Sequence, residues 1–356
     1  MTKMGFSTLP ISWVYGAILK TRHFLYDTGM VESKSHDSIF SICIGNLNLG
    51  GSGKTPLTEF VLSELQQEYK VAVVSRGYGR KTKGFYIVDA NGSAEMYGDE
   101  PLQMAQKFTN IPFAVCENRS EGIAKLLEFR PDLEVILLDD AFQHRKLKAD
   151  LNILLTPFAR PFFRDYLIPS GGLRDVKTAA SRADLVVISK SPAQISHETK
   201  KVFQRESGFI LEKDLFFAHI DYASLWNPFT EEKVSLKAID QALVVTGLAN
   251  PTPLEEYLKP HIAHLKFTRF RDHHQYSTKD IKSLKLIFDN FAVNQDRVVI
   301  TTEKDFVKLE KLKAHIPNNW TVLVAPIKML ISDKMGPRFI ETIKEKANIK
   351  LNRHDG

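Results

Sequence analysis

The sequence predicts an α/β fold: a mainly parallel sheet covered by helices, joined to a second, smaller α/β lobe. Continuous runs rich in Val, Ile and Leu recur at residues 39–44, 71–75, 111–116, 135–138, 151–155 and 185–188. Apolar runs without strict alternation belong to strands buried on both faces. Polar or helix-periodic stretches separate them, as the crossovers of a parallel sheet require. A second set of strands at 242–246, 297–301 and 320–325 follows a looser polar stretch. The expected organisation is an N-terminal amphipathic surface helix over residues 1–30, a main domain over 31–220 and the smaller lobe over 221–356.

With 356 residues and 43% of them hydrophobic, the chain has ample material for a core, which excludes disordered and fibrous classes. Forty-eight Lys and Arg against 42 Asp and Glu leave a net charge of +6. That excess suits an anionic partner without choosing among phosphate, lipid and nucleic acid. The two cysteines, Cys43 and Cys116, sit in apolar runs, as expected of a reducing compartment without a cysteine-metal cluster. Residues 4–19 lack charge but are too short and too polar to span a bilayer, and no small-x-small cleavage site precedes Lys20, Arg22 and His23. Neither an export signal nor a membrane crossing is expected. Ile11, Val14, Tyr15, Ile18 and Leu25 recur at helical spacing after Pro10, with Trp13 and Lys20 on other faces. These residues leave two readings open, a helix at the membrane interface and a helix packed on its own domain.

The first strand runs into Gly45-Asn46-Leu47-Asn48-Leu49-Gly50-Gly51-Ser52-Gly53-Lys54-Thr55-Pro56, followed by a helical stretch over 57–69. Strand, glycine-rich loop, Lys-Thr and helix is the order of a phosphate-cradling loop, so the fold expected is P-loop NTPase-like. The candidate nucleotide-binding residues are Asn48, Gly50, Gly51, Ser52, Gly53, Lys54 and Thr55. Lys54 is expected to reach the β and γ phosphates and Thr55 to ligate Mg²⁺. Asn48 stands where the strict pattern has Gly, and its tolerance of unusual backbone angles is the expected reason. The strand over 135–138 ends in Asp139 and Asp140, one of which is placed to hold Mg²⁺ directly or through water. Paired carboxylates also serve glycoside hydrolysis, but a phosphate loop has no part in that chemistry.

Further polar clusters fall at the carboxyl ends of the same strands. They are Ser75-Arg76-Gly77-Tyr78-Gly79-Arg80, Gly98-Asp99-Glu100-Pro101, residues 139–145 with Gln143 and His144, and residues 169–175 with Arg174. Any one of them is explained by helix capping or a surface ion pair. Together they point to a phosphate-bearing substrate besides the nucleotide.

With Asn118-Arg119, Leu173-Arg174, Phe270-Arg271-Asp272-His273 and Thr301-Thr302-Glu303-Lys304-Asp305 added, the ordered motifs resemble the tetraacyldisaccharide 4′-kinase family from the N-terminal helix to about Lys308. The resemblance implies an enzyme of lipid A biosynthesis that uses ATP and Mg²⁺. It phosphorylates the 4′-hydroxyl of a tetraacyldisaccharide 1-phosphate to give lipid IVA, as a peripheral protein on the cytoplasmic face of the bacterial inner membrane. Carried over by motif, the catalytic residues are Asp99 as base, His273 as its hydrogen-bonded partner, and Lys54. The metal residues are Thr55, Asp139, Asp140 and Glu100, and the substrate residues are Arg76, Tyr78, Arg119, Gln143, His144 and Arg174. His273 lies in the second lobe, so lobe closure is expected to complete the site and exclude water. A lipid acceptor favours the membrane reading of the N-terminal helix, with Lys20 and Arg22 docking on anionic headgroups.

Departures from the family pattern are Ala141 for Gly, Asn118 for Asp and Asp175 for Glu, and His274 adjoins His273. The rival reading is a membrane-associated switch ATPase of the partitioning type. That group places a lysine just before the glycine pair, where this chain has Leu49, and it gives no account of residues 98–101. A nucleic-acid partner rests on net charge alone and is not expected.

Overall fold

The computed structural model describes residues 8–211, 214–248, 250–271, 274–292 and 296–351. The chain opens with α1 (Leu9–Asp27), β1 (Phe40–Asn46), α2 (Lys54–Leu65), β2 (Val71–Ser75), β3 (Tyr86–Ile87), α3 (Ala94–Tyr97) and α4 (Asp99–Lys107). It continues with β4 (Phe113–Val115), α5 (Arg119–Phe129), β5 (Val135–Asp139), β6 (Leu151–Pro157), β7 (Leu185–Ser189), α6 (His197–Ser207) and β8 (Leu215–Tyr222). Then come β9 (Leu225–Trp226), β10 (Lys233–Val234), β11 (Gln241–Thr246), α7 (Thr252–Leu258), β12 (His264–Arg269) and α8 (Thr278–Phe288). The closing elements are β13 (Arg297–Thr302), α9 (Glu303–Leu309), β14 (Thr321–Ala325), β15 (Ile327–Ile331) and α10 (Gly336–Leu351). Two compact units result, one formed by Met1–Ile220 with Met329–Gly356, the other by Asp221–Lys328.

The sheet of the first unit has the order β15-β8-β7-β6-β1-β5-β2-β4-β3, parallel from β8 to β4, with β3 antiparallel at the edge. Every residue of β1, β2, β5 and β7 is buried, as their unbroken apolar runs require. β1 lies between β5 and β6, with Ile42 opposite Leu137 on one side and Leu151 on the other. The chain goes from β1 to β2 on the β5 side and later crosses to β6 on the opposite side. The carboxyl end of β1 is therefore a topological switch point, where open α/β sheets bind ligands. In the second unit β11 to β14 form a parallel sheet extended by antiparallel β9 and β10. Leu254, Leu258 and Ile300 belong to one of its apolar clusters; Leu284, Phe288 and Trp320 belong to another.

One sequence expectation changes. The smaller lobe is expected to run to the end of the chain, with the tail from Lys344 as a solvated helix end, but residues 329–356 belong to the first unit. The reason is an apolar stripe on α10: Phe339, Ile340, Ile343 and Ala347 are buried, and Phe339 packs edge-on against Phe216 with ring centroids 5.1 Å apart. The charged residues of that tail clamp it down. Lys344 pairs with Glu68 at 2.6 Å, and Lys346 and Lys350 pair with Asp184 and Asp150 at 2.7 Å each.

α1 starts at Leu9 with Pro10 in its first turn. Its buried residues are Ser12, Gly16, Leu19 and His23, whereas Ile11, Trp13, Val14 and Ile18 are each between 59% and 71% exposed. The helix packs through its small and polar residues and turns its large apolar ones outward. Gly16 makes this possible, since a Cβ there would lie 2.9 Å from Leu167 Cδ1. Among the described residues, no helix is long and apolar enough to cross a membrane.

Phe339→Ala removes the centre of the α10 stripe and is expected to cost the first unit about 3–4 kcal/mol. Denaturant unfolding followed by circular dichroism checks this, and a loss under 1 kcal/mol would mean that α10 is not held by that stripe.

Candidate active site

The loop after β1 turns on Gly50 and Gly53, whose φ values of 92° and 87° are in the left-handed region. Gly45, before the loop, is needed for close approach, because a Cβ there would lie 2.5 Å from Phe142 Cβ. Asn46 organises the entry: its Nδ2 donates to Asn48 O at 2.8 Å, while its Oδ1 accepts from Lys54 Nζ at 3.5 Å and from Arg174 Nη2 at 2.5 Å. Asn48 is not among the residues with positive φ, so backbone tolerance is not why it replaces Gly. Its buried side chain ties the loop to its surroundings, donating to Arg160 O and Asp165 Oδ2 at 3.3 Å each and accepting from Thr156 Oγ1 at 3.3 Å. Those three contacts fix the base of the loop.

The two carboxylates after β5 differ in surroundings. Asp140, held at a left-handed φ of 48°, bonds to the Arg174 guanidinium and lies 3.8 Å from Lys54 Nζ. Against the cost of burial, the Arg174 hydrogen bond and the charges of Lys54 and Arg174 hold its pKa below the ordinary value. Asp139 is 2% exposed; its Oδ2 accepts from Ser75 Oγ at 3.3 Å, and its buried Oδ1 has no partner. Burial, followed by the carboxylates of Glu100 and Asp140, pushes its pKa upward. A buried carboxylate with an unpartnered oxygen and acidic neighbours fits a divalent cation, which would relieve that excess negative charge. Among the described residues no ready cluster of three or more His, Cys, Asp or Glu exists, and Mg²⁺ needs only one or two carboxylates when phosphates supply the remaining ligands.

Opposite these acids, the turn over 75–80 and the start of α4 meet backbone to backbone. Gly77 and Gly98 have φ values of 70° and 92°; a Cβ on the first would lie 2.6 Å from Tyr97 O and on the second 2.9 Å from Tyr78 O. This contact sets Asp99 and Glu100 at the amino end of α4 beside Arg76 and Tyr78, which are exposed, Tyr78 by 80%. Glu59 of α2 steadies α4 by accepting from Lys107 Nζ at 2.5 Å.

Three of the predicted substrate residues serve the scaffold. Arg119 is 2% exposed, with Nη1 donating to Cys116 O at 2.8 Å and Nη2 to Asp139 O at 3.3 Å, so it binds strand ends from below. Gln143 Nε2 donates to Asn46 O at 2.7 Å, and Arg174 spans Asn46 and Asp140. His144 is half-buried with Nε2 unpartnered. Burial and the charges of Arg119, Lys146, Arg22 and Arg76 push its pKa down to about 4.

His273 lies outside the described residues. His274 is engaged within the second unit, stacked on Phe270 at 4.5 Å with its Nε2 3.2 Å from Asp280 Oδ2. The loop around it is anchored by buried Asp305, which accepts from Tyr276 OH at 3.1 Å, Gly247 N at 3.0 Å and Thr302 Oγ1 at 2.7 Å. The TTEKD motif thus forms the end of β13 and start of α9 and braces the segment after β12.

Residues 167–175 form the bed of α1. Ser12 Oγ donates to Leu167 O at 3.0 Å, Tyr15 OH to Arg174 O at 3.0 Å, and His23 Nε2–H to the fully buried Asp175 at 2.6 Å. His23 Nδ1 accepts from Arg145 at 3.0 Å. Asp175 therefore anchors the helix. Along α1 runs a groove of about 290 Å³ lined by Leu9, Trp13, Lys20, Tyr166, Leu173 and Lys177, among others.

Sequence reasoning placed Asn46 and Ser75 in its motifs without their partnerships with Arg174 and Asp139, and missed Lys190 beside the loop, which only its place at a strand end could have signalled.

A sequence profile of the tetraacyldisaccharide-1-phosphate 4′-kinases matches residues 5–347. The tetraacyldisaccharide 4′-kinase of Cytophaga hutchinsonii is 37% identical over 351 residues, covering 97% of this chain and 96% of that protein. That of Bacteroides fragilis is 41% identical over 308 residues, covering 84% and 81%. The crystal structure of the "apo" form of LpxK from Aquifex aeolicus in complex with ATP is 30% identical and superposes with a TM-score of 0.74, covering 96% of this chain and 99% of that one.

Because burial and four cations disfavour its charged form, His144 should stay neutral until about pH 4. Its unfolded value is near 6.5, so the unfolded chain binds the extra proton first, and this residue's contribution to stability is lost as pH falls from 6.5 towards 4. An NMR titration of the imidazole checks this; a midpoint near 6.5 would refute it.

Proposed function

Since the chain belongs to the tetraacyldisaccharide-1-phosphate 4′-kinase family, we propose the following division of labour among its residues. The enzyme is an ATP-dependent kinase that transfers the γ-phosphoryl group to the 4′-hydroxyl of a tetraacyldisaccharide 1-phosphate. One observation carries the residue assignment: Lys54, Asp140 and the unpartnered oxygen of Asp139 surround the carboxyl end of β1, directly after a glycine loop.

In this reading the backbone N–H groups over 50–55 cradle the phosphates, and Lys54 offsets charge that builds on the transferring group. Thr55 and Asp139, with Asp140 and Glu100 nearby, would hold Mg²⁺, which would supply positive charge to offset that of the phosphates. Arg174 competes for Asp140, which makes Asp139 the stronger ligand of the pair. Asp99, at the start of α4, takes the proton from the attacking 4′-hydroxyl, and His273 is assigned as the residue that orients it. Exposed Arg76 and Tyr78 line the acceptor side.

The lipid is met at the cytoplasmic face of the inner membrane. Its acyl chains would cost roughly 0.8 kcal/mol per methylene to draw into water, so the enzyme must work at the bilayer surface. The outward face of α1 supplies Ile11, Trp13, Val14 and Ile18 for that surface, and Lys20 and Lys177 flank the adjoining groove.

Lys54→Ala should lower transfer at least about 100-fold, and Asp99→Ala by about 100- to 10,000-fold, measured with ATP, Mg²⁺ and the lipid in mixed micelles. Normal transfer by Asp99→Ala would remove it as the base. Replacing both Trp13 and Ile18 by Ser should weaken sedimentation with anionic vesicles at least about tenfold, since two exposed apolar side chains are lost. Undiminished vesicle binding would exclude α1 as the docking face.

A further inference from the structure

Two residues without glycine's freedom adopt left-handed backbone immediately after strands of the site-bearing sheet: Asp140 after β5, and Lys190 after β7 with φ 54°. Such a conformation is unfavourable for a residue with a side chain and clusters where function demands it. The purpose at Asp140 is plain from its contacts with Lys54 and Arg174. Lys190 has no comparable explanation in the scaffold. Its Nζ lies 3.8 Å from where a Cβ on Gly51 would stand, at the shoulder of the phosphate loop. Among the described residues no carboxylate pairs with it, and burial, followed by the like charge of Lys54, holds its pKa below the ordinary value. The strand end that carries it is fixed to the loop, because Ser189 Oγ donates to Ser52 O at 2.5 Å. A Cβ on Gly53 would meet Met329 Cε at 3.1 Å, so β15 closes on the same side.

Strand order sets the direction in which a nucleotide can lie. The carboxylates of Asp139 and Asp140 end β5, on one side of β1, and the Arg76 turn follows β2 next to it. Lys190 follows β7, two places from β1 on the other side. A triphosphate laid in the loop with its γ end towards those acids carries its nucleoside end towards β6 and β7. We propose that Lys190 is a nucleoside-positioning residue, whose ammonium caps the loop at Gly51 on the ribose side and whose methylene stem covers one face of the nucleoside. A lysine suits this place because its stem is apolar while its head is cationic, so one side chain can pack on a ring and still face a polyphosphate. The inference rests on ATP occupying the loop.

The test uses the full chain and compares ATP with inorganic tripolyphosphate, which has phosphates but no nucleoside. Lys190→Ala should raise KM for ATP about tenfold, with the loss appearing in KM rather than kcat, while the inhibition constant of tripolyphosphate moves less than about twofold. Lys190→Gly, which accepts the left-handed backbone freely, should give the same pattern and guards against an effect through folding. Lys190→Met, which keeps the stem, should recover part of the ATP affinity. Equal weakening of ATP and tripolyphosphate would make Lys190 a phosphate ligand and overturn the assignment. No change in either would also overturn it, while loss of both ligands in Lys54→Ala would leave the placement of ATP in the loop standing.

Discussion

The arrangement depends on a single guanidinium. Arg174 bonds through its side chain to Asn46 at the loop entry and to Asp140 after β5, its backbone N–H donates to Leu47 O at 2.8 Å, and its carbonyl accepts from Tyr15 of α1. One residue thus joins the phosphate loop, the acid after β5 and the outward-facing helix. Charged hydrogen bonds of this forked kind are directional as well as strong, so Arg174 fixes positions that glycine-rich backbone alone would leave loose. Replacement by lysine would keep the charge and lose the fork.

Around that centre the electrostatics are uneven in a useful way. Asp140 is satisfied by cations, whereas Asp139 is buried beside other acids with one oxygen unanswered. Two carboxylates adjacent in sequence are thereby given different surroundings by their neighbours, one tied to the loop through Lys54 and Arg174 and the other left with an unpaired oxygen. The basic residues divide similarly. Arg119 is spent on strand ends inside the sheet, while Lys54 lies 3.8 Å from Asp140 and Lys190 Nζ lies beside Gly51 of the loop.

What the sequence made legible follows from what local pattern can encode. Parallel strands, the loop and the acid pair were readable because unbroken apolar runs, glycine spacing and a Lys-Thr pair are local signals. Partnerships were not. Asn48 looked like a backbone accommodation and is a side-chain tether; Arg119 looked like a substrate ligand and is buried. Asp175 looked like a shortened Glu and holds His23. For Asn48 and Asp175 the deciding contact joins residues far apart in the chain, which no motif records, and for Arg119 it is burial at the strand ends, which a motif does not record either. The face of α1 was half legible: apolar periodicity locates a stripe but does not say whether it points to the core or away from it, and the contacts of buried Ser12, Gly16, Leu19 and His23 are what turn Ile11, Val14 and Ile18 outward.

The division of the chain also has a consequence for biosynthesis. The second unit, Asp221–Lys328, is inserted into the first, whose edge strand β15 and helix α10 come from the closing residues. Domains tend to fold as units while the ribosome still holds the chain. The inserted unit is complete once Lys328 has emerged, but the larger one must wait for the last segment before it can cover its sheet. The nascent nucleotide-binding half therefore spends its time on the ribosome with apolar surface bare, the interval in which a chaperone has most to do.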